Sequence, residues 1–460
     1  MIQATITGTI SLGIQGLNKN PMVAQARKEN RFSNPDYVNA LRLGRYLGGM
    51  PQFIHVWQED LGILLLPRGY GKRLAALGKE MRQPINWVDR RVTSPAMYPA
   101  KIEGIDFRGY QDRAVNAAMG TSQGVIVAPT GSGKTLAALE LIRRRAQRAV
   151  ILVHSQALAR QWRKVIQKAF PGIHPGMIGD GEWYEGKEIT VAIMQTLSSR
   201  PEAARAFASR IGLAVVDEAH HAPSGTFAEV ISMFPGKYRY GFTATPKRGD
   251  GLGEVINRLI GDTVATIHPD EVEDLGGIVP ARVLAVDTGI RFPQVNTDSK
   301  TAWTDLMSLL AQNTDRNALI ARIVIDISRQ RQTLILTDRV AHAEAMAKCI
   351  PGALLVHGSI ADRNRRMIEM KTARVTIGTR GLLGEGLDVS VWSALVVASP
   401  ISGETPLLQG VGRVIRPAPG KKEGLVVDIV DAHPFLLSSW HKRRAIYNGR
   451  GWQIEKGGWL

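Results

Sequence analysis

The 460-residue sequence predicts an α/β protein of two tandem domains, each a doubly wound parallel sheet, with a small N-terminal α+β domain ahead of them. Two observations carry that prediction. From residue 101 to 275, short β-branched apolar runs alternate with stretches of helical period, and from 276 to 445 the same alternation starts again. Runs of four or five apolar residues without polar alternation suit strands buried on both faces, and helices between such strands make the sheet parallel.

In the first domain the runs are VIVA at 125–128, AVILV at 149–153, TVAI at 190–193 and LAVV at 213–216, with helices expected at 134–145 and 156–169. In the second they are TLIL at 333–336, ALLV at 353–356, RVTI at 374–377, ALVVA at 394–398 and LVVDI at 425–429, with helices at 340–349 and 363–371. The segment GGIVP at 276–280 has the Gly/Pro punctuation of a linker. Residues 1–100 are irregular, with strand-like pieces at 52–57 and 62–66 and no motif that names a chemistry. Residues 446–460 form a basic aromatic tail. There and in the helix before it, Trp440, Tyr447, Trp452 and Trp459 interleave with Lys and Arg, which suits either stacking on nucleobases or packing against the second domain.

Lys and Arg total 58 against 41 Asp and Glu, a formal net charge of +17 and a pI of about 10.1. That excess points to a polyanionic partner, because basic contacts to phosphate release counterions. A basic surface that only keeps the protein soluble is the plainer alternative. The single cysteine, Cys349, excludes an internal disulfide and a Cys-rich zinc module. It falls in the apolar stretch 341–350, which predicts a buried structural thiol. No run approaches the roughly 18 apolar residues of a membrane span. The N-terminus lacks a basic segment followed by an unbroken apolar core, so a cytoplasmic protein is expected.

The sharpest local signal is APTGSGKT at 128–135, placed after a predicted strand and before a predicted helix. Pro129, Thr130, Gly131, Ser132 and Gly133 form a loop whose glycines let backbone N–H groups turn toward phosphate oxygens at a helix N-terminus. Lys134 would reach the β- and γ-phosphates of ATP, and the Thr135 hydroxyl would ligate Mg2+. Next comes VVDEAH at 215–220, at the end of another strand. There Asp217 would hold the magnesium, Glu218 would polarise the attacking water, and His220 would sense the γ-phosphate side. His221 has no assignment, and no cysteine or third histidine nearby completes a metal site.

With those two motifs the sequence resembles the DEAH-box helicases of superfamily 2, and further motifs of that family follow in order between residues 105 and 432. FRGYQ at 107–111 is similar to the adenine-reading Q motif, with Gln111 on the base edge and Arg108 or Tyr110 packing nearby. Thr196, after a strand, matches the threonine that contacts a nucleic-acid phosphate. GFTATP at 241–246 resembles motif III, where Thr243 and Thr245 couple hydrolysis to strand movement. LTDR at 336–339 resembles motif IV. GTRGLLGEGLD at 378–388 resembles motif V, which implies nucleic-acid contacts at Thr379 and Arg380 and nucleotide contacts at Gly386 and Asp388. QGVGRVIR at 409–416 resembles motif VI, with Gln409, Arg413 and Arg416 in catalytic positions. Arg413 and Arg416 lie three apart, a spacing that puts both on one helix face. The resemblance implies two RecA-like domains, with those arginines meeting the γ-phosphate when the domains close.

Within the superfamily, the GRVIR form of motif VI, RGYQ at 108–111 and the short second domain resemble the XPB/UvsW-like DNA-repair group more than the DEAH-box RNA helicases. The resemblance implies an ATP- and Mg2+-dependent DNA helicase or translocase, a monomeric motor on single-stranded and branched duplex DNA, moving 3′ to 5′. RNA is the less expected substrate, and no membrane partner is expected. The motor motifs are complete without residues 1–100, so that segment reads as a DNA-engagement domain on which hydrolysis does not depend. Two rivals stand beside this reading. A nucleotide kinase or GTPase would leave motif VI unexplained. An ATP-switched remodeller that separates no strands shares every motif.

Overall fold

The computed structural model describes residues 2–17, 20–42, 48–221, 225–244, 252–293, 302–357, 363–379, 389–401 and 403–457. They divide into two compact units, Met1–His268 and Pro269–Leu460.

The first unit is built on an eight-stranded sheet. Its order across the sheet is Glu182–Tyr184, Gly176–Gly179, Ile189–Ile193, Ala149–Val153, Leu213–Val216, Tyr238–Thr243, Gln123–Val127 and Thr263–Thr266. Every neighbouring pair is parallel except the edge pair formed by Glu182–Tyr184. The four apolar runs of the sequence are all strands here, and three of these strands are buried at every position. The strand Tyr238–Thr243 escapes a reading by apolar runs because Arg239 interrupts it, yet Arg239 is 1% exposed.

A second, five-stranded sheet belongs to the same unit, in the order Gln58–Asp60, Ile63–Pro67, Thr9–Gly13, Ile2–Ile6, Ile85–Asp89. The helices Pro21–Glu29 and Gly71–Glu80 cover it, burying Met22, Val23, Leu74 and Leu77 against Ile10, Leu12, Leu64 and Leu66. The strand expected at 52–57 is shorter than its run, and a second strand follows it. Phe53–His55 pairs with Arg31–Ser33 in a separate ribbon, and Gln58–Asp60 joins the sheet edge. Phe32 and Ile54 of that ribbon, with Val56, pack against the core of the larger sheet.

The seam between the two sheets is close. A Cβ on Gly8 would lie 2.0 Å from the Ser232 carbonyl oxygen, and one on Gly69 2.1 Å from that of Asn257. Two buried arginines cross it in opposite directions. Arg68 donates to the Gly236 and Lys237 carbonyls (2.6 and 3.3 Å) and to Gln123 Oε1 (2.7 Å). Arg239 donates to the carbonyls of Gly8, Ile231, Phe234 and Leu259 at 2.9–3.0 Å.

In the second unit seven strands are all parallel, in the order Leu354–Val356, Val375–Thr379, Thr333–Thr337, Ala394–Val397, Gly424–Ala432, Ala281–Arg291, Gln453–Gly457. Both sheets carry helices as crossovers, giving the tandem RecA-like α/β architecture that the sequence predicts. One expectation changes and one open alternative narrows. Cys349 is exposed: it closes the helix Val340–Cys349 off the stripe of His342, Ala343 and Met346 that faces the core. Tyr447 is fully buried, with the rings of Trp440 and Trp452 at 6.3 and 6.0 Å, so those aromatics pack inward while residues 453–457 form an edge strand. No described helix is long and apolar enough to cross a membrane.

Candidate nucleotide-binding site

The phosphate-loop sequence follows the inner strand Gln123–Val127. Its turn is held from within: the Ser132 N–H and hydroxyl both donate to the Pro129 carbonyl (3.2 and 2.7 Å). Gly131 and Gly133 take φ of 87° and 77°, a region that glycine enters without steric cost. Gly133 then caps the helix Lys134–Arg145, whose first N–H groups have no partner within the helix. A side chain at Gly133 would also collide with Gln111, since a Cβ there would lie 2.2 Å from its Nε2.

Gln111 therefore sits under the loop. It is 4% exposed; its Nε2 donates to the Ser132 carbonyl (2.8 Å) and its Oε1 accepts the Arg108 N–H (2.9 Å). The residue expected on the adenine edge braces the phosphate loop in this structure. Arg108 turns its guanidinium to the Tyr110 hydroxyl, 2.9 Å away.

Strand Leu213–Val216 delivers the acidic pair. Lys134 Nζ lies 3.0 Å from Glu218 Oε1, so the cation expected at phosphate is matched to the expected base. Glu218 has φ of 50°, a strained value for a non-glycine residue that aims its side chain back at the loop. Burial alone would raise its carboxyl, but Lys134 and His220 override that and hold it well below the usual carboxylate range. Asp217 moves the other way, raised by burial and by the adjacent Glu218 charge. His220 Nδ1 lies 3.3 Å from Glu218 Oε2 and 3.4 Å from the Thr243 hydroxyl. Thr243 in turn accepts the Ala128 N–H on its carbonyl (2.8 Å). One chain of contacts thus links the start of the phosphate loop to the base.

Both Asp217 oxygens are taken as well. Oδ1 accepts the Glu218 N–H (2.9 Å) and Oδ2 accepts the indole N–H of Trp162 (2.8 Å), which is 3% exposed on the helix Gln156–Ala169. Beside them lies a cavity of about 20 Å³ lined by Thr135, Leu158, Gln161, Trp162 and Asp217. That is room for one small solvent species. The Thr135 hydroxyl and Asp217 carboxylate are oxygen donors of the kind magnesium takes, so these residues fit the ion. Sequence reading missed Trp162 because it shares an apolar stripe with Leu158, Ala159 and Ile166. Its one signal is chemical: a buried indole N–H usually needs an acceptor.

Thr196 is half-buried on the short helix Met194–Ser198, next after the strand Ile189–Ile193. In the second unit, Thr379 ends the strand Val375–Thr379, Gln409 is half-buried on the helix Glu404–Val414, and Arg413 is buried near that helix's end. Arg416 lies past the helix, so the two arginines do not share one helical face. Pro417 disfavours helical backbone at the residue before it. Thr245, Arg380, Gly386 and Asp388 lie outside the described residues.

A phosphate loop, an acidic pair one strand removed from it in the same sheet, and a second parallel-sheet unit are the parts of a P-loop protein with tandem α/β units. The family model described as type III restriction enzyme, res subunit, matches residues 104–248. The DNA 3′-5′ translocase XPB2 of Sulfurisphaera tokodaii is 35% identical over 190 residues, 41% of this chain and 42% of that protein's length. "Probable helicase D10" of Escherichia phage T5 is 26% identical over 350 residues, 72% of each chain. Among solved structures, Saccharomyces cerevisiae Dbp5 bound to RNA and ADP BeF3 shares the fold, with a TM-score of 0.57 at 16% identity over 76% of this chain and 89% of that one. Motifs, family match and relatives agree. Together they support a superfamily 2 helicase of XPB type.

Proposed function

We propose that this protein is a DNA-stimulated ATPase that drives a helicase or translocase, acting on branched as well as single-stranded DNA. The observation that carries this reading is the Lys134–Glu218–His220–Thr243 chain of contacts beneath a braced phosphate loop. Gly131, Gly133 and the helix N-terminus orient backbone N–H groups for phosphate, and Lys134 exchanges its partner Glu218 for the β/γ-phosphates. Glu218, freed and kept ionised, orients water for attack. Magnesium held by Thr135 and Asp217 would neutralise phosphate charge. Arg413 and Arg416 supply further positive charge during turnover, and Thr196 and Thr379 contact the DNA backbone. Residues 1–100 add DNA contacts that favour branched substrates. The net charge of +17 suits a phosphate backbone.

The test is ATP hydrolysis with no nucleic acid, single-stranded DNA, forked and four-way duplexes, and RNA, paired with strand displacement. Lys134→Ala should lower DNA-stimulated turnover by about 10³-fold or more, the scale of a lost charge on the transferring phosphate. Glu218→Gln should keep ATP binding and lose turnover. Near wild-type hydrolysis by the Glu218 variant would remove that residue as the base. A second reading, translocation without strand separation, draws on the archaeal relative's being named a translocase. DNA-stimulated hydrolysis without displacement on any duplex would favour it.

A further inference from the structure

The helix Gln156–Ala169 carries none of the motifs used so far, yet two of its side chains reach the acidic pair. Trp162 donates its only N–H to Asp217 Oδ2 at 2.8 Å in a fully enclosed contact. Gln161, next to it, lines the same small cavity as Thr135 and Asp217, and its Oε1 is buried without a hydrogen-bond partner among the described residues. An amide oxygen withdrawn from water and left unpaired costs about 1–3 kcal/mol, so a buried one facing a cavity signals an absent donor. The Thr135 hydroxyl lines the same cavity but makes no hydrogen bond to Gln161, and with Thr135 and Asp217 as ligands of the ion the donor that fits is a metal-bound water.

Resting on the nucleotide-site reading above, we propose that Gln161 and Trp162 form the outer wall of the magnesium site and act as positioning residues. Trp162 fixes the Asp217 carboxylate. With Oδ2 tied to the indole and Oδ1 to the Glu218 N–H, the carboxylate plane cannot rotate. Asp217 meets the ion, directly or through water, in one orientation. Gln161 Oε1 accepts a hydrogen bond from a water of the ion's hydration shell. Magnesium keeps several waters when bound, and partners outside the coordination sphere commonly set metal affinity by 10–100-fold. Neither side chain belongs to the phosphate loop, so neither should matter for nucleotide binding without metal.

The experiment titrates mant-ADP into the full-length protein by fluorescence in EDTA, then titrates Mg2+ at fixed mant-ADP. Wild type should bind mant-ADP in EDTA and tighten with Mg2+. Trp162→Phe removes the N–H and keeps a ring in the core; it should weaken the apparent Mg2+ constant about tenfold and leave the EDTA affinity unchanged. Gln161→Leu, at a half-buried position, should weaken Mg2+ by less and in the same direction. It decides the matter alone if the Trp162 variant does not fold. Unchanged Mg2+ constants in folded variants would overturn the proposal, as would equal weakening with and without metal, which marks a purely structural role. A wild-type protein whose mant-ADP affinity ignores Mg2+ would instead overturn the nucleotide-site reading itself.

Discussion

The two units solve one problem, the burial of arginine, in opposite ways. In the first unit, Arg68 and Arg239 cross the seam between sheets and meet carbonyl oxygens and one side-chain amide, with no carboxylate among their hydrogen-bond partners. Burial and the like charge of Arg91 push the Arg239 guanidinium down to about 9, still protonated near neutrality. In the second unit, Arg316 grips Asp431 through two bonds of 2.9 Å and Arg443 grips Asp428 at 2.7 and 2.8 Å, with the Tyr447 hydroxyl donating to Asp428 as well. Burial would pull Arg443 down, but Asp428 overrides it and holds it above its usual value. Carbonyl-capped arginines can be satisfied only when two separate backbones are both in place. Carboxylate-paired arginines are held chiefly by one acidic side chain of their own unit. The first arrangement makes the seam a condition of folding. The second pins the helix Pro434–Gly449 to its own sheet.

The largest effect should follow from removing one side of the seam. A chain beginning at Ala100 lacks Arg68, the Gly8 carbonyl and the apolar contacts of Phe32, Ile54 and Val56. It also loses Val92, whose N–H donates to the Pro235 carbonyl at 2.9 Å and whose carbonyl accepts the Lys237 N–H at 2.7 Å. The motif set alone argues that hydrolysis survives this deletion. The seam argues that the shortened chain fails to fold its first sheet. Purification, far-UV dichroism and nucleotide binding decide between them; a soluble, DNA-stimulated ATPase would show that the seam is dispensable. The DNA contacts proposed for residues 1–100 are therefore better sought by point substitutions on that segment's surface than by deletion.

Single substitutions sharpen the contrast further. Arg443→Met strands Asp428 in the core, a loss of about 3–5 kcal/mol, and pairing it with Asp428→Leu should recover much of that because the uncompensated charge is gone. Arg239→Met leaves backbone carbonyls unpaired at about 1–3 kcal/mol for each that cannot relax, on the order of 3 kcal/mol in all, and no second substitution restores it. Urea titrations of the two single variants and the Arg443–Asp428 double variant measure this. A double variant no more stable than Arg443→Met would erase the distinction.

The same contrast explains what was legible in the sequence. Strands that are unbroken apolar runs, such as Ala149–Val153 and Leu213–Val216, can be read from composition alone. Tyr238–Thr243 and Ala281–Arg291 could not, the first because it carries the seam arginine and the second because its side chains alternate between buried and exposed. The phosphate loop, Asp217, Glu218 and their order were legible because their chemistry demands fixed residue types at fixed spacing. Trp162 and Gln161 were not, since the fold brings them to Asp217 from a helix 55 residues away in sequence. Gln111 was found for a different role from the bracing one its contacts describe.

The smallest expected effect concerns an arginine that is carboxylate-paired but open to water, between the two extremes. Arg73 bonds Glu29 at 2.8 and 3.0 Å, joining the two helices over the N-terminal sheet, and Tyr70 donates to the same carboxylate at 2.8 Å. The hydrogen bond from Arg73, aided by Gln25 and Tyr70 against the opposing effect of burial, lowers the Glu29 carboxyl from 4.5 to about 2. A carboxyl depressed in the folded state adds stability that is fully present above its unfolded value and lost as pH falls through its folded one. The window therefore runs from about 4.5 down to about 2. Because the Arg73 side chain is 37% exposed, solvent screening discounts the pair to about 1 kcal/mol. Wild type and Glu29→Gln, compared by urea unfolding at steps from pH 6 to pH 2, should differ by that amount at the upper end and converge at the lower. A difference that stayed constant across the window would assign the stabilisation to packing and not to charge.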